Sequence, residues 1–311
     1  LYQNTGHAMN KDHLAAFEET RLILKGPITI PPGDTSFMID NLDTGKSYTS
    51  PNQALRKIYQ LYGHIRPAKS YKNSPFKNVD IVTIRENTED LYTGEEHVKD
   101  NGDTVECIKR ITKNASDRIA NFALNYAKNN NRKLVTSVHK ANVCKKSDGL
   151  FLNCHREIFK DSKEKYGIQY NENLADSILY KLMIAHSEFD VVSCPNLYGD
   201  LISDLLGGMI GSLGLMPAAQ INQVEDYGLF EPTHGSAPDI AGQNIVNPIS
   251  QWRSAVLMLQ YLGYQEIGEN IEEGIEYLLE NDYVTHELGG KCTTTDMTNY
   301  LCKYLKGDKN F

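Results

Sequence analysis

Four short runs are apolar on both faces and end at polar, Gly or Pro residues: "RLILKG" (21–26), "VDIVTIRE" (79–86), "KLVTSVHK" (133–140) and "FDVVSCP" (189–195). Such runs predict buried strands. Between them, "SPNQALRKIYQLYG" (50–63), "ASDRIANFALNYAKNN" (115–130), "SDGLFLNCHREIFKDSKEKYG" (147–167) and "DSILYKLMIAHSEF" (176–189) space apolar residues as a helix face does. Ser50 and Ser147 are placed to cap two of these helices. After residue 250, "SQWRSAVLMLQYLGY" and "IGENIEEGIEYLLEND" predict two more.

Strands alternating with helices predict an α/β fold with a largely parallel sheet. In such sheets ligands gather at the carboxyl ends of strands. Arg85 ends one predicted strand, Lys140 ends another, and Asp200 follows a third. The stretch "TIPPGDTSFMIDNLDTGKSYTSPN" (29–52) fits no element; a loop of that length is expected to be functional or mobile.

Composition narrows the class. With 311 residues the chain can bury a sizeable core, and its net charge of −8 argues against nucleic-acid or membrane-surface partners. No apolar run is long enough for a transmembrane helix. The six scattered cysteines form no CxxC pair and read as reduced thiols rather than a disulfide framework. The chain opens at Leu1 without a signal or transit peptide pattern.

"PNLYGDLISDLLGGMIGSLG" (195–214) is nearly all apolar or Gly, yet holds Asp200 and Asp204. On a helix, an i, i+4 pair points both carboxylates to one face. They read either as a cap and a solvated acid, the commoner case, or as oxygen ligands of a divalent cation. Arg56, Arg66 and Arg85 stand at element ends, Arg66 at a helix exit before Pro67. One such Arg is usually a surface salt bridge; three suggest a pocket for several carboxylates. In "RENTEDLYTGEEH", Tyr92 is either core or a proton donor. Lys140 is either a surface residue or, in a cleft, a proton carrier near neutral pH.

"EPTHGSAPDIAGQNIVNP" (231–248) forms no regular element, and its small residues let a ligand approach the backbone. Asp239 is suited to accept bonds from ribose hydroxyls. There is no Walker loop, and "GGMIGSLG" does not fit the GxGxxG pattern.

Six motifs, "LKGP", "ALRK…IRP", "IRENTEDLY", "VHKANV", "NLYGDLISD" and "HGSAPDIAG…NP", occur in the order in which they occur in the decarboxylating β-hydroxyacid dehydrogenases. The chain therefore resembles that family, which comprises isocitrate, homoisocitrate and 3-isopropylmalate dehydrogenases. The resemblance implies two α/β domains sharing a largely parallel sheet and a dinucleotide site that is not of Rossmann type. Residues 1–62 and 213–311 would form the larger, dinucleotide-binding domain. Residues 63–212, with a clasp-like segment near 91–112, would form the substrate, metal and dimerisation domain.

By the same resemblance, Mg²⁺ or Mn²⁺ is held by Asp200 and Asp204 together with Asp176 of a partner chain, in a homodimer or higher oligomer with shared sites. Arg56, Arg66 and Arg85 match the substrate arginines, Tyr92 the general acid, and Lys140, reaching across the interface, the lysine that deprotonates the substrate hydroxyl. His234, Gly235, Ser236, Ala237, Asp239, Ile240 and Asn247 match the dinucleotide loop. Asp239-Ile240 stands where NADP-preferring members carry Lys-Tyr, which implies NAD.

Ser50, Asn52 and "YTGEEH", ending in His97, resemble the isocitrate group. "IRPAKS", "SKEKYG", "NPIS…RSAVLML" and "ELGGK" resemble homoisocitrate dehydrogenases. The implied reaction is oxidative decarboxylation of isocitrate to 2-oxoglutarate, with homoisocitrate dehydrogenase and a non-catalytic regulatory subunit as alternatives. Bacterial cytoplasm or mitochondrial matrix would be the compartment. Three departures stand out. The family's opening strand and P-G-D-G-I-G-P-E turn are missing, which would be costly for a central strand. The loop before Ser50 is roughly twelve residues longer than usual and is placed to act as a lid. Ile30 stands where many isocitrate enzymes have Thr.

Overall fold

The computed structural model describes Met9, residues 11–28 and residues 50–308. Ile30 and most of the long 29–52 loop lie outside the described residues.

The backbone of the fold is one eight-stranded sheet in the order β1-β10-β9-β2-β3-β8-β6-β7. Its strands are β1 (Leu22–Leu24), β2 (Gly63–Lys69), β3 (Asp80–Glu86), β6 (Leu134–His139), β7 (Gln169–Leu174), β8 (Val191–Cys194), β9 (Pro217–Asn222) and β10 (Tyr227–Pro232). The four strands read from apolar runs are all present. β2, β9 and β10 are not apparent as such runs, because polar residues that the fold buries interrupt them; β7 is an edge strand whose polar residues Gln169 and Asn171 are exposed. Four of the seven pairings are parallel; β2 is antiparallel to both of its neighbours, and β9 to β10.

Arg66 is therefore no helix exit. It sits in the middle of β2. Pro67 is tolerated there because β9 pairs only with Gly63, His64 and Ile65, so the proline lies beyond that ladder.

The described helices are α1 (Lys11–Thr20), α2 (Pro51–Ile58), α3 (Lys113–Asn129), α4 (Ser147–Phe159), α5 (Ser162–Tyr166), α6 (Ala175–Ala185), α7 (Asn196–Ile210), α8 (Ile249–Tyr261), α9 (Gln265–Glu280) and α10 (Thr294–Leu305). Ser50 caps α2 as expected, its hydroxyl accepting the Gln53 amide at 3.0 Å. Ser147 does not cap α4 but is its first helical residue, after a run of turns from Lys140. The predicted 147–167 helix breaks at Lys160 and Asp161 into α4 and α5. A separate exposed ribbon, β4 (Glu96–Lys99) and β5 (Thr104–Cys107), lies within the 91–112 segment. His97 is exposed on it and faces Glu106 across the ribbon.

Apolar side chains of the sheet pack against α3 and α8 on one face, around Val82, Ile84, Phe122 and Phe230. On the other they pack against α7, α9 and α10, around Ile202, Leu206, Ile275 and Leu278. The two segments assigned to separate domains, 63–212 and the chain after 213, meet at the β2–β9 pairing. All six cysteines are unpaired. Among the described residues no helix is long and apolar enough to cross a membrane.

Candidate active site

Helix α7 starts at Asn196, so Asp200 lies beyond its first turn and is no cap. The cap comes from outside: the buried Asp90 carboxylate accepts the Leu197 amide at 2.9 Å. That frees Asp200 to face arginines of β2 and β3. Arg66 from β2 donates to its Oδ1 at 3.1 Å, and Arg85 from β3 donates to the same oxygen. The Tyr92 hydroxyl donates to Oδ2 at 2.5 Å. Within this chain two arginines already face the carboxylate. Burial alone would push the Asp200 carboxyl up, but Arg85, Arg66 and the Tyr92 hydroxyl hold it below the ordinary value. Burial, reinforced by the bond to Asp200, pushes the Tyr92 phenol up, so it stays protonated at neutral pH.

Asp204, one turn on, is more open: its side chain is 57% exposed and Arg66 lies 3.6 Å away. Burial raises its carboxyl against the pull of Arg66.

Arg85 is fully buried, with Nε on Asn196 Oδ1 at 2.7 Å and its guanidinium carbon 4.8 Å from the centre of the Tyr92 ring. Gly199 makes room for it, since a Cβ there would lie 2.6 Å from Arg85 Cγ. The glycines after 207 serve other contacts. Gly207 admits Leu213, and Gly214 admits Ser212, Asn247 and Glu287.

Arg56, on α2, donates Nε to Gln220 Oε1 at 2.8 Å and lies 4.0 Å from Glu231. Burial and the neighbouring Arg85 lower its pKa to about 10, so it remains a cation near neutral pH. Helix α2 is tied to the Tyr92 turn by Gln53 and Lys57, which donate to the Tyr92 and Thr93 carbonyls at 2.9 and 3.0 Å. Asn52, Arg56 and Arg66 line a cavity of about 150 Å³ with Glu231, His234 and Gly235. Asn52 Oδ1 is buried without a hydrogen-bond partner. Ser50, its hydroxyl occupied as the cap, is not among the residues that line this cavity.

His234 and Gly235 also belong to a second cavity, of about 950 Å³, with Gly214, Ala237, Ile240 and Asn247 among its walls. Ala237 holds φ +44°, a left-handed conformation that turns the loop. Asn247 is buried, its Oδ1 accepting the Ile249 amide at 3.1 Å while its Nδ2 has no partner. Asn247 is a wall residue of this cavity, and its unused donor suits an acceptor on a nucleotide base. Asp239 is exposed and, like Ser236, is not among the wall residues.

Lys140 and Asp176 form an ion pair of their own. They line a third cavity, of about 250 Å³, with Tyr198, Leu201 and Ile202 of α7. Within the single chain they do not join Asp200, and among the described residues no three His, Cys, Asp or Glu side chains cluster as a metal site would. Asp200 and Asp204 nevertheless supply two hard oxygen donors on one face, which suits Mg²⁺ or Mn²⁺ completed by substrate and water.

Two cavities thus share the His234–Gly235 wall, one lined by Arg56 and Arg66 and the other of about 950 Å³. The chain belongs to the isocitrate/isopropylmalate dehydrogenase family, whose model matches residues 1–301. Its relatives are decarboxylating dehydrogenases. It is 41% identical to the homoisocitrate dehydrogenase of Methanocaldococcus jannaschii, over 97% of this chain and 87% of that one. It is 40% identical to the mitochondrial isocitrate dehydrogenase (NAD) subunit alpha of Sus scrofa, over 94% of this chain and 76% of that one. The crystal structure of isocitrate dehydrogenase from Methylococcus capsulatus superposes with a TM-score of 0.88 at 35% identity, covering 98% of this chain and 87% of that one.

Sequence reasoning missed the support behind these residues. His64, Asn87, Gln220 and Glu231 are all buried polar residues on or beside strands. The available signal was polar residues inside otherwise apolar strand runs, as in "PAAQIN" and "GLFEP".

Proposed function

We propose that the protein is a metal-dependent, NAD⁺-linked decarboxylating dehydrogenase acting on isocitrate. The observation that carries this reading is the shared His234–Gly235 wall, which sets an arginine-lined pocket directly against a nucleotide-sized one. Arg56, Arg66 and Arg85 hold the substrate carboxylates, helped by Asn52, and fix its orientation. Asp200 and Asp204, with Asp176 of a second copy, would hold the divalent cation. When bound, the cation supplies Lewis acidity at the substrate oxygen, and NAD⁺ supplies the hydride acceptor. The raised pKa of Tyr92 keeps its proton in place for delivery to carbon after CO₂ has left. Lys140 of the second copy takes the proton of the substrate hydroxyl.

A second copy has a face to bind. Leu201 on α7 is exposed in the Lys140–Asp176 cavity, and α6, whose Ala175, Asp176 and Leu179 line that cavity, also exposes Tyr180, Met183 and Ile184. Ser50 then acts on the substrate only through the placement of α2.

A homoisocitrate dehydrogenase and an isocitrate dehydrogenase subunit are similar to this chain at nearly the same identity, 41% and 40%, so homoisocitrate is the second reading. Initial rates with Mn²⁺ on isocitrate and homoisocitrate, each with NAD⁺ and NADP⁺, test both. Fast NAD⁺ reduction on isocitrate is expected. Faster turnover of homoisocitrate replaces the first reading with the second, and no turnover of either acid or of 3-isopropylmalate overturns both.

A further inference from the structure

Behind Arg56 and Arg66 runs one continuous chain of hydrogen bonds. Arg66 Nε lies 3.2 Å from His64 Nε2. A guanidinium N–H can only donate, so His64 Nε2 accepts and its ring proton sits on Nδ1. That proton is donated to Asn87 Oδ1 at 3.3 Å. Asn87 Nδ2 then donates to Gln220 Oε1 at 2.7 Å. Gln220 Oε1 also accepts Arg56 Nε, and Gln220 Nε2 donates to Glu231, which is paired with Lys25. The direction of every bond is therefore fixed by a cation at one end and a carboxylate at the other. Turning either amide over would set donor against donor.

None of the three middle residues lines the arginine pocket. His64 is fully buried, and Asn87 and Gln220 nearly so. Burial, with Arg66, Arg56 and Arg85 nearby, keeps the imidazole neutral, the state in which it can accept. His64 and Gln220 face each other in register across the β2–β9 pairing. The chain thus connects the arginine of α2 to the arginine of β2 through the sheet itself.

Each arginine is gripped at Nε. Of the terminal nitrogens, Arg66 Nη1 goes to Asp200 at 3.1 Å and Ser203 Oγ at 2.7 Å, and Arg56 Nη2 lies 4.0 Å from Glu231, while both side chains line the pocket. We propose that His64 and Gln220 are positioning residues that set the separation of the Arg56 and Arg66 guanidinium groups, and so select the length of the polycarboxylate the site accepts. This rests on the reading that those arginines hold substrate carboxylates. Isocitrate and homoisocitrate differ by one methylene, a difference that a well-placed pocket separates by roughly 10- to 200-fold.

The test measures kcat and KM on both acids, with Mn²⁺ and NAD⁺, for the full chain and its His64→Leu, His64→Gln and Gln220→Asn variants. His64→Leu removes the acceptor for Arg66; His64→Gln supplies another. Gln220→Asn keeps donor and acceptor but withdraws them by one methylene. The expected result for His64→Leu and Gln220→Asn is a KM for the preferred acid raised about ten-fold, with the kcat/KM ratio between the acids narrowed at least about five-fold. His64→Gln is expected to recover most of that ratio. Should His64→Leu fail to fold, Gln220→Asn carries the same measurement. A ratio within about two-fold of the wild type in every folded variant, with both acids losing equally, overturns the proposal and leaves the functional reading standing. A wild-type protein inactive on both acids overturns the functional reading and this inference with it.

Discussion

The Tyr92 hydroxyl and the Asp200 carboxylate lie 2.5 Å apart, and Arg85 contacts both. The phenol is thus held protonated beside the helix that carries the paired aspartates. Tyr92→Phe keeps the ring against Arg85 and removes only the proton and its bond. The variant should fold and bind substrate with KM close to wild type, while kcat falls roughly 100- to 10,000-fold. Steady-state rates check this. A wild-type kcat in the variant removes Tyr92 from the chemistry.

Asp204 offers the cleaner test of the cation site, because its side chain is largely exposed while Asp200 is locked to two arginines. Asp204→Asn should change metal-free stability by less than about 1 kcal/mol. In the wild type, Mn²⁺ at a hundred times its Kd should stabilise the fold by about 2.7 kcal/mol. Thermal melts with and without Mn²⁺ should show that gain and its loss in Asp204→Asn. An equal gain in both proteins places the cation elsewhere.

Gly199 is not a wall residue of the three cavities described above, yet it lies against Arg85, with room for no Cβ. Gly199→Ala should cost about 1–3 kcal/mol and push Arg85 off Asp200. KM should rise as a result. Denaturant unfolding and substrate titration check the two effects separately, and a variant with wild-type stability and KM refutes the packing argument.

His155 is fully buried between Phe151 and Phe159, with Nδ1 on the Phe151 carbonyl at 3.0 Å and Nε2 on Ser193 Oγ at 2.8 Å. Burial lowers its pKa from 6.5 to about 4, against the pull of the Phe151 carbonyl. The ring is neutral in the fold, so the unfolded chain takes up the proton first as pH falls. Stability is therefore fully present above about 6.5 and drains away down to about 4. The loss between pH 7 and pH 5 should be about 2 kcal/mol. His155→Gln should show a flatter slope over that range, measured by urea unfolding at each pH.

Parallel strands with helical crossovers were legible because β3, β6 and β8 are buried on both faces and so read as short runs rich in Val and Ile. β2 and β9 were not. Their pairing places His64 opposite Gln220, and those polar residues break the period that would have marked a strand. Pro67 makes Arg66 read as a helix exit. That a proline can sit in β2 depends on where β9 stops, which is a property of the sheet and not of the segment.

The sequence by itself determined the kinds of chemistry present: three arginines, two carboxylates one helical turn apart, a Gly/Pro loop and a strand-end lysine. Their types and spacings are local, and local rules read them. Tertiary structure alone decided which of them meet. It bound Asp200 to Arg66, Arg85 and Tyr92, left Lys140 with Asp176, and set the arginine pocket against the nucleotide-sized cavity at His234 and Gly235. These partners are far apart in the chain, and only the sheet order and the packing of α7 against β2 and β3 bring them together.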